Sequence, residues 1–234
     1  MSATQLALDL KVRAALGRDD FLVAPCNAAA VAWLDRWPAW PRPGLVVFGP
    51  PGCGKSHLVE VWQARSGARR LGGDRVDEID PPALADRPLA IDGAEAWIGQ
   101  PGRPGREELL LHLYNLLRES GQALLLTANQ APARWSTRLA DLASRLNALD
   151  QVGVGAPDDV LLGAVLAKQF RDRQLAVDAR VVRYLVVRMD RSFAAVRRLV
   201  QALDKTALAE GGAITRALAG RVLAEQATKQ GETI

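Results

Sequence analysis

Cysteine and histidine are nearly absent from the sequence, with two residues of each type among 234. The two cysteines, Cys26 and Cys53, lie in different segments and cannot build a disulfide framework, so we expect both to be reduced thiols. A zinc site needs a cluster of cysteine and histidine ligands, which this sequence does not offer. These absences exclude a disulfide scaffold and argue against a structural zinc site.

Two further features are missing: an apolar run long enough to span a membrane, and a charged-then-apolar leader at the N-terminus. We therefore expect a cytoplasmic protein without a membrane partner. The net charge of +4 is uneven, because residues 158–234 hold 13 of the 30 Lys and Arg residues but only 9 of the 26 Asp and Glu residues. This mild surplus suits an acidic partner or a nucleotide, and we expect no sequence-specific DNA binding.

The most informative stretch is a buried strand, Leu45–Phe48, that runs into a glycine-rich turn. The turn and the start of the following helix read Gly49-Pro50-Pro51-Gly52-Cys53-Gly54-Lys55-Ser56-His57. This spacing fits the phosphate-binding loop, in which backbone N–H groups and a helix N-terminus converge on phosphate oxygens. Lys55 can then reach the β- and γ-phosphates, and the Ser56 hydroxyl can ligate Mg²⁺. We predict that the chain binds ADP or ATP together with Mg²⁺.

A second short apolar run, Leu89–Ile91, ends in Asp92, at the distance from the loop where such ATPases place a metal-binding carboxylate. In many of them the next residue is an acid that orients the attacking water, whereas here it is Gly93. We therefore predict weak hydrolysis by this chain alone. The alternative is that the nearby Glu95 acts as the base.

A third buried strand, predicted over residues 123–127, is followed by Asn129. This side chain either senses the γ-phosphate by hydrogen bonding or is a plain turn residue. The short helix predicted over residues 139–146 carries Arg145, which spacing alone favours as a solvated surface charge. Later helices are predicted over residues 158–172, 179–189, 193–209 and 215–228, starting at Asp158, Asp178, Ser192 and Thr215. Strands alternating with helices, then an all-helical tail, indicate an α/β fold: a parallel three-layer sheet with a helical lid.

The beginning of the sequence alternates Leu6, Leu8 and Leu10 with small or acidic residues. This pattern suits an edge strand of the domain's own sheet, or a free peptide. Preceded by Gln5, it resembles the short motif by which bacterial proteins dock on the replication sliding clamp. That resemblance implies that Gln5 enters a polar subsite and that the leucines fill an apolar groove.

The segment from Phe21 to Asn27 leads into an alanine-rich helix, for which we predict Asn27 as the N-cap. Three tryptophans follow at close spacing, and packing is a more common role for such residues than base stacking. They are Trp33, Trp37 and Trp40.

Taken together, several segments resemble the AAA+ ATPases, and more narrowly their DnaA-related branch. They are Gly49–Ser56, Leu89–Asp92, Leu126–Asn129, Leu142–Leu146 and Ala195–Leu199, and the resemblance covers roughly residues 20–230. It implies a five-stranded P-loop sheet over residues 20–156 and a small helical lid over residues 157–234, after a flexible tail of residues 1–19. It also implies that Phe21, Val23 and Asn27 grip the adenine.

The same resemblance assigns roles to three polar residues. Arg145 is similar to the arginine finger that projects into a neighbouring subunit's nucleotide site, and Arg197 resembles the lid arginine that contacts the nucleotide phosphates. Asn129 occupies the polar sensor position. A finger of this kind implies a partner molecule, either another copy of the chain or a related ATPase.

Two departures from the initiator DnaA guide the functional expectation. DnaA carries a helix-turn-helix DNA-binding domain after the lid, and we expect none here because the sequence ends at Ile234. The clamp-like motif stands at the other end. This layout is similar to that of the regulatory inactivators of DnaA, and implies the DNA polymerase III β sliding clamp and DnaA as partners. The alternatives are a self-sufficient AAA+ ATPase such as a helicase loader, a clamp adaptor without catalytic effect, and a DNA-bound replication factor.

Overall fold

A computed structural model of the chain describes residues 12–13, 21–72, 80–99 and 105–231. These residues form two compact units, which divide between Gly155 and Ala156. The first unit is α/β and the second is helical. The predicted clamp-binding residues Gln5, Leu6, Leu8 and Leu10 lie outside the described residues.

The α/β unit alternates strands with helices along most of its length. In chain order its elements are β1 Val12–Arg13, β2 Phe21–Leu22, α1 Ala28–Asp35, β3 Gly44–Phe48, α2 Lys55–Ser66, β4 Arg69–Gly72, α3 Pro81–Leu84, β5 Leu89–Asp92, α4 Gly105–Glu119, β6 Leu124–Ala128, α5 Ala140–Asn147 and β7 Asp150–Gly153. Strands β3 to β7 form one sheet in the order β4-β5-β6-β3-β7, and every neighbouring pair is parallel. The predicted five-stranded parallel sheet is confirmed.

Alternating residues of the central strands point to opposite faces of the sheet, so both faces are covered. On β3, Val46 packs into a cluster with residues of α4 and α5, whereas Leu45 and Val47 pack into a second cluster with residues of α1 and α2. Parallel strands buried on both sides read as continuous apolar runs, which is why β3, β5 and β6 were recognisable from sequence. The three-layer arrangement follows from these two clusters.

The short sheet made by β1 and β2 is separate from the main one. Val12 pairs with Leu22, and Arg13 with Phe21, in an antiparallel register. Both strands lie in the α/β unit.

The described part of the helical unit, residues 156–231, contains four helices around its own core. They are α6 Asp159–Asp172, α7 Ala179–Val186, α8 Phe193–Glu210 and α9 Arg216–Gly231. The four predicted capping residues accept hydrogen bonds from backbone N–H groups of the first turns: Asp158 from Leu161, Asp178 from Arg180, Ser192 from Ala195 and Thr215 from Leu218. Such caps satisfy donors that a helix leaves unpaired at its start, so these starts are confirmed.

Within the described ranges, none of the helices is both long enough and apolar enough to cross a membrane.

Candidate functional site

The glycine-rich loop joins the end of β3 to the start of α2 and is held closely against the sheet. A Cβ atom on Gly49 would lie 2.2 Å from the carbonyl oxygen of Val154, a distance that no side chain tolerates. The Gly49 N–H donates to the carbonyl of Ala128 at the end of β6, at 3.1 Å. Because β3 and β6 are parallel neighbours, the loop and the β6 tip meet at the carboxyl edge of the sheet, where α/β folds bind ligands.

Lys55, the first residue of α2, folds back over the loop. Its Nζ donates to the carbonyl oxygens of Gly49 at 2.7 Å and Pro50 at 3.0 Å, and to Oδ1 of Asn129 at 3.2 Å. The ammonium group therefore connects the loop to the predicted sensor residue. These acceptors are neutral oxygens, so an anionic phosphate oxygen would be a stronger partner for the ammonium.

Asp92 ends β5 and is the most heavily bonded carboxylate of the site. Its Oδ1 accepts from the Thr127 hydroxyl at 2.6 Å, and its Oδ2 accepts from a guanidinium N–H of Arg70, also at 2.6 Å. Burial acts to raise the pKa of this carboxyl. Hydrogen bonds from Thr127, Ser56 and Arg70 outweigh burial and hold the pKa below its usual range, so Asp92 is ionised at neutral pH.

Ser56 and Asp92 are hydrogen-bonded to each other, and both would offer oxygen atoms as ligands to a metal ion. Among the described residues, no group of three or more His, Cys, Asp or Glu side chains is placed to hold a metal ion. A Mg²⁺ ion at Ser56 and Asp92 would therefore take its remaining ligands from water and phosphate, as Mg²⁺ usually does. In that respect the donor set fits the ion.

Gly93 follows Asp92 in a left-handed conformation, with φ of 85°. Its N–H donates to the Thr127 hydroxyl at 2.9 Å, so one threonine positions both residues. Glu95 lies in the next turn, and its Oε1 accepts from the backbone N–H of Asn129 at 3.1 Å. The carboxylate of Glu95 thus contacts the backbone of Asn129, the residue that follows β6.

The remaining loop residues differ in exposure. Pro50 and Pro51 are exposed, whereas Cys53 is buried. Burial raises the pKa of the Cys53 thiol, and the opposing charge of Lys55 does not reverse this, so the thiol is protonated at neutral pH. Nδ1 of His57 lies 3.3 Å from Oε2 of Glu60, one turn further along α2.

Asn27 is buried and is the N-cap residue of α1, as predicted. Its Oδ1 accepts from the Ala24 N–H at 2.9 Å, and its Nδ2 donates to the Leu22 carbonyl at 3.0 Å. The side chain makes no capping bond to the first turn of α1. The side chain bonds backwards because the chain before the helix turns sharply there. Val23 is half-buried beside the α1 cluster, and Phe21 takes part through its backbone.

Arg145 lies on α5 and is bonded within its own subunit. Its Nε donates to Oδ1 of Asp141 at 2.9 Å, and its guanidinium carbon lies 5.7 Å from the centre of the Tyr114 ring. The side chain is 27% exposed. The structure therefore brings Lys55 and Asn129 together and joins Ser56 to Asp92, while Arg145 stands apart with partners on α4 and α5.

Arg197 belongs to the helical unit. It is exposed on α8, beside the buried Val196. Its guanidinium makes no ion pair with any described residue.

Two residues of the site were not singled out from the sequence. Arg70 lies on β4, inside a stretch that read only as polar, and Thr127 read as one more strand residue. Thr127 is fully buried, and both of its bonds converge on the Asp92–Gly93 turn. The available signal for Thr127 was a hydroxyl in an otherwise apolar strand, which must find a partner when buried.

Comparison with known proteins gives replication initiator proteins among the relatives of this chain, although no protein-family model matches it. The chromosomal replication initiator protein DnaA of Caulobacter sp. strain K31 is 28% identical over 224 residues, covering 85% of this chain and 45% of that protein. The chain spans about half the length of the curated relatives it matches.

Among solved structures, domain III of the Thermotoga maritima replication initiation protein DnaA superposes with a TM-score of 0.75 at 18% identity, covering 88% of this chain and 94% of that one. AMPPCP-bound DnaA from Aquifex aeolicus gives a TM-score of 0.65 at 14% identity, with coverage of 83% and 66%. The sheet order, the glycine-rich loop and these superpositions all indicate the same fold. The chain has the fold of the DnaA-like AAA+ domain III.

Proposed function

We propose that the chain binds ADP or ATP at the Gly49–Ser56 loop, where Ser56 and Asp92 are the side chains that would hold any Mg²⁺ bound with the nucleotide. The observation that carries this proposal is the Lys55 ammonium, which lies over the loop and contacts Asn129 at the neighbouring strand tip. A phosphate chain on the loop would contact both side chains. AMPPCP-bound DnaA, which shares the fold, adds support.

Equilibrium binding of a fluorescent ADP analogue tests this proposal. Lys55→Ala should weaken binding about 10- to 100-fold, the value of one or two hydrogen bonds to a charged group. Arg65→Ala is the matched control, because Arg65 lies at the other end of α2 and pairs with Asp35. Equal binding by the parent and Lys55→Ala would count against a phosphate site at this loop.

We further propose that the chain's own ATP hydrolysis is weak. Gly93 stands where an acid would orient the attacking water, and its positive φ disfavours any residue with a side chain. Oε1 of Glu95 accepts a hydrogen bond from the backbone N–H of Asn129, which stabilises the ionised carboxylate and makes it a weaker base. Brisk ATP turnover by the purified chain, abolished by Lys55→Ala, would instead favour a self-sufficient ATPase such as a helicase loader.

The biological role that we propose is that of an Hda-type regulator, a negative regulator of replication initiation. In this account the nucleotide-bound chain offers Arg145 to the ATP of DnaA and stimulates its hydrolysis. An arginine finger supplied by a partner raises such rates by roughly 10³- to 10⁵-fold. The DnaA-like fold and the partial exposure of Arg145 support the proposal.

Supporting roles follow for other residues. Phe21, Val23 and Asn27 line the adenine side, Arg197 contacts the phosphates from the lid, and a homo-oligomer would use the same finger contact between copies. The Gln5–Leu10 motif docks the chain on the DNA polymerase III β sliding clamp, which raises its effective concentration near DNA.

Clamp pull-down tests the docking motif directly. Gln5→Ala, or joint replacement of Leu8 and Leu10 by Ala, should abolish clamp binding and leave ADP affinity unchanged, with Ser2→Ala as the control. Loss of clamp binding and ADP binding together would mean that these residues belong to the α/β fold itself.

A further inference from the structure

Arg70 projects from the edge strand β4 towards two carboxylates of the neighbouring elements. One guanidinium nitrogen lies 2.6 Å from Oδ2 of Asp92 on β5, and the other lies 3.0 Å from Oε1 of Glu60 on α2. The Arg70 side chain is 31% exposed and that of Asp92 is 15% exposed. The arginine therefore bridges the edge strand, the predicted metal-binding carboxylate and the helix that follows the loop.

The Arg70 bridge occupies Asp92, the carboxylate that a metal ion at this site would need as a ligand. Oδ1 of Asp92 is already bonded to Thr127, and Arg70 bonds Oδ2. A divalent cation approaching Asp92 would meet a fixed positive charge on the same carboxylate. Mg²⁺ gives up its water ligands reluctantly, which places it at a further disadvantage against a guanidinium already in contact.

The second carboxylate gives the guanidinium another contact besides Asp92. A guanidinium is charged at every accessible pH and forms two directed hydrogen bonds at once. To leave Asp92, the Arg70 side chain would have to give up its hydrogen bond to Glu60, or the Arg70 and Glu60 side chains would have to move together. Arg69, the preceding residue of β4, pairs instead with Asp86, outside the site.

We propose that Arg70 is a built-in cation that competes with Mg²⁺ for Asp92 and makes nucleotide binding by this chain nearly independent of Mg²⁺. The inference rests on the proposed nucleotide binding. The guanidinium neutralises the Asp92 carboxylate, so that a metal ion is not needed to offset this negative charge beside the loop. The chain would then hold a nucleotide firmly while remaining poorly equipped to hydrolyse it.

The test compares the dissociation constant of a fluorescent ADP analogue in EDTA with that in millimolar Mg²⁺. For the parent and for Arg69→Gln, the two constants should agree within about twofold. For Arg70→Gln, ADP should bind more weakly in EDTA, and Mg²⁺ should restore binding by about 10- to 100-fold, the range in which partners of metal ligands alter metal affinity. Arg70→Lys keeps the charge but loses the fork, so Mg²⁺ should change its ADP binding less than it changes that of Arg70→Gln. Arg70→Met, which also removes the charge, replaces Arg70→Gln if that protein does not fold.

Two results would overturn the inference: a parent that needs Mg²⁺ as strongly as Arg70→Gln, or an Arg70→Gln protein as indifferent to Mg²⁺ as the parent. If no variant binds nucleotide at all, the proposed function fails. Titration of the nucleotide-free proteins with Mn²⁺, followed by electron paramagnetic resonance, then decides the inference by itself. Tighter Mn²⁺ binding by Arg70→Gln than by the parent supports the competition, and equal binding contradicts it.

Discussion

Arg145 donates from Nε to Oδ1 of Asp141, one turn earlier on α5, at 2.9 Å. An arginine that completes a pocket in another molecule must leave this partner first. Asp141 is 58% exposed and Arg145 is 27% exposed, and exposed pairs of this spacing contribute only about 0.3–0.5 kcal/mol. The ion pair is therefore a weak restraint on Arg145, which also contacts the Tyr114 ring.

The Asp141–Arg145 pair predicts the effect of removing the acid. Asp141→Ala should leave the stimulation of DnaA-bound ATP hydrolysis unchanged or raise it by up to about twofold, because only the weak competing pair is lost. Asp172→Ala breaks the equivalent pair with Lys168 on α6 and is the matched control. A loss of stimulation with Asp141→Ala alone would mean that the acid positions the finger for contact.

Thr127 is predicted to matter for stability and for the site together. Thr127→Val removes the hydroxyl that joins Asp92 to the Gly93 N–H, so the free energy of unfolding should fall by about 1–3 kcal/mol. ADP affinity should also fall, since Asp92 loses its orientation. Thr206→Val is the control, because that hydroxyl bonds only to its own helix. Urea unfolding and ADP titration measure the two effects, and an unaffected Thr127→Val protein would remove the residue from the site.

Substitution of Gly93 should lower stability because of its backbone conformation alone. Apart from Gly93 and its two chain neighbours, no atom of the described residues lies within 4 Å of a Cβ built there. Because φ is positive, Gly93→Ala and Gly93→Glu should nevertheless each lower the free energy of unfolding by about 1–2 kcal/mol. Gly105→Ala, with equal space and an ordinary φ, should be neutral or stabilising. If Gly93→Glu is stable and hydrolyses ATP briskly, the account of weak hydrolysis is wrong.

The ionisation of Glu107 should make the free energy of unfolding depend on pH. Burial acts to raise the pKa of this carboxyl, but hydrogen bonds from the backbone N–H groups of Gly99, Leu139 and Arg138 outweigh it and hold the pKa below its usual range. A depressed pKa contributes stability above the unfolded value of about 4.3, and that contribution is lost as the pH falls through the lower folded value.

Urea unfolding of the parent and Glu107→Gln over acidic pH measures this contribution. The free energy of unfolding should decline more steeply for the parent as the pH falls below about 4.3, so the two proteins should differ less at low pH than at neutral pH. A constant difference across this range would show that the ionised form has no special role.

The sequence predicted the central strands because burial on both faces demands apolar runs, and it predicted the helix starts because Asp158, Asp178, Ser192 and Thr215 are good caps. It did not reveal β4, whose residues Arg69–Gly72 form an edge strand with polar side chains on a partly exposed surface. Without β4, the position of Arg70 beside Asp92 could not be foreseen.

The contacts that each side chain of the site makes were the hardest feature to predict from the sequence. Asn27 occupies a capping position in sequence but bonds backwards to Leu22 and Ala24, since the local turn decides its direction. Which way Arg145 points also depends on Asp141 and Tyr114, which lie on two helices. Spacing identified the residue types, whereas tertiary packing determined their contacts.

The most direct test of the regulatory account is hydrolysis of DnaA-bound ATP, measured with and without clamp loaded on DNA. The parent and Arg118→Ala, which removes an exposed arginine of α4, should stimulate hydrolysis when clamp is present. Arg145→Ala should lose at least about 10³-fold of that stimulation, the lower end of the effect of an arginine finger, while retaining ADP and clamp binding. Stimulation by Arg145→Ala equal to that of the parent would contradict the account.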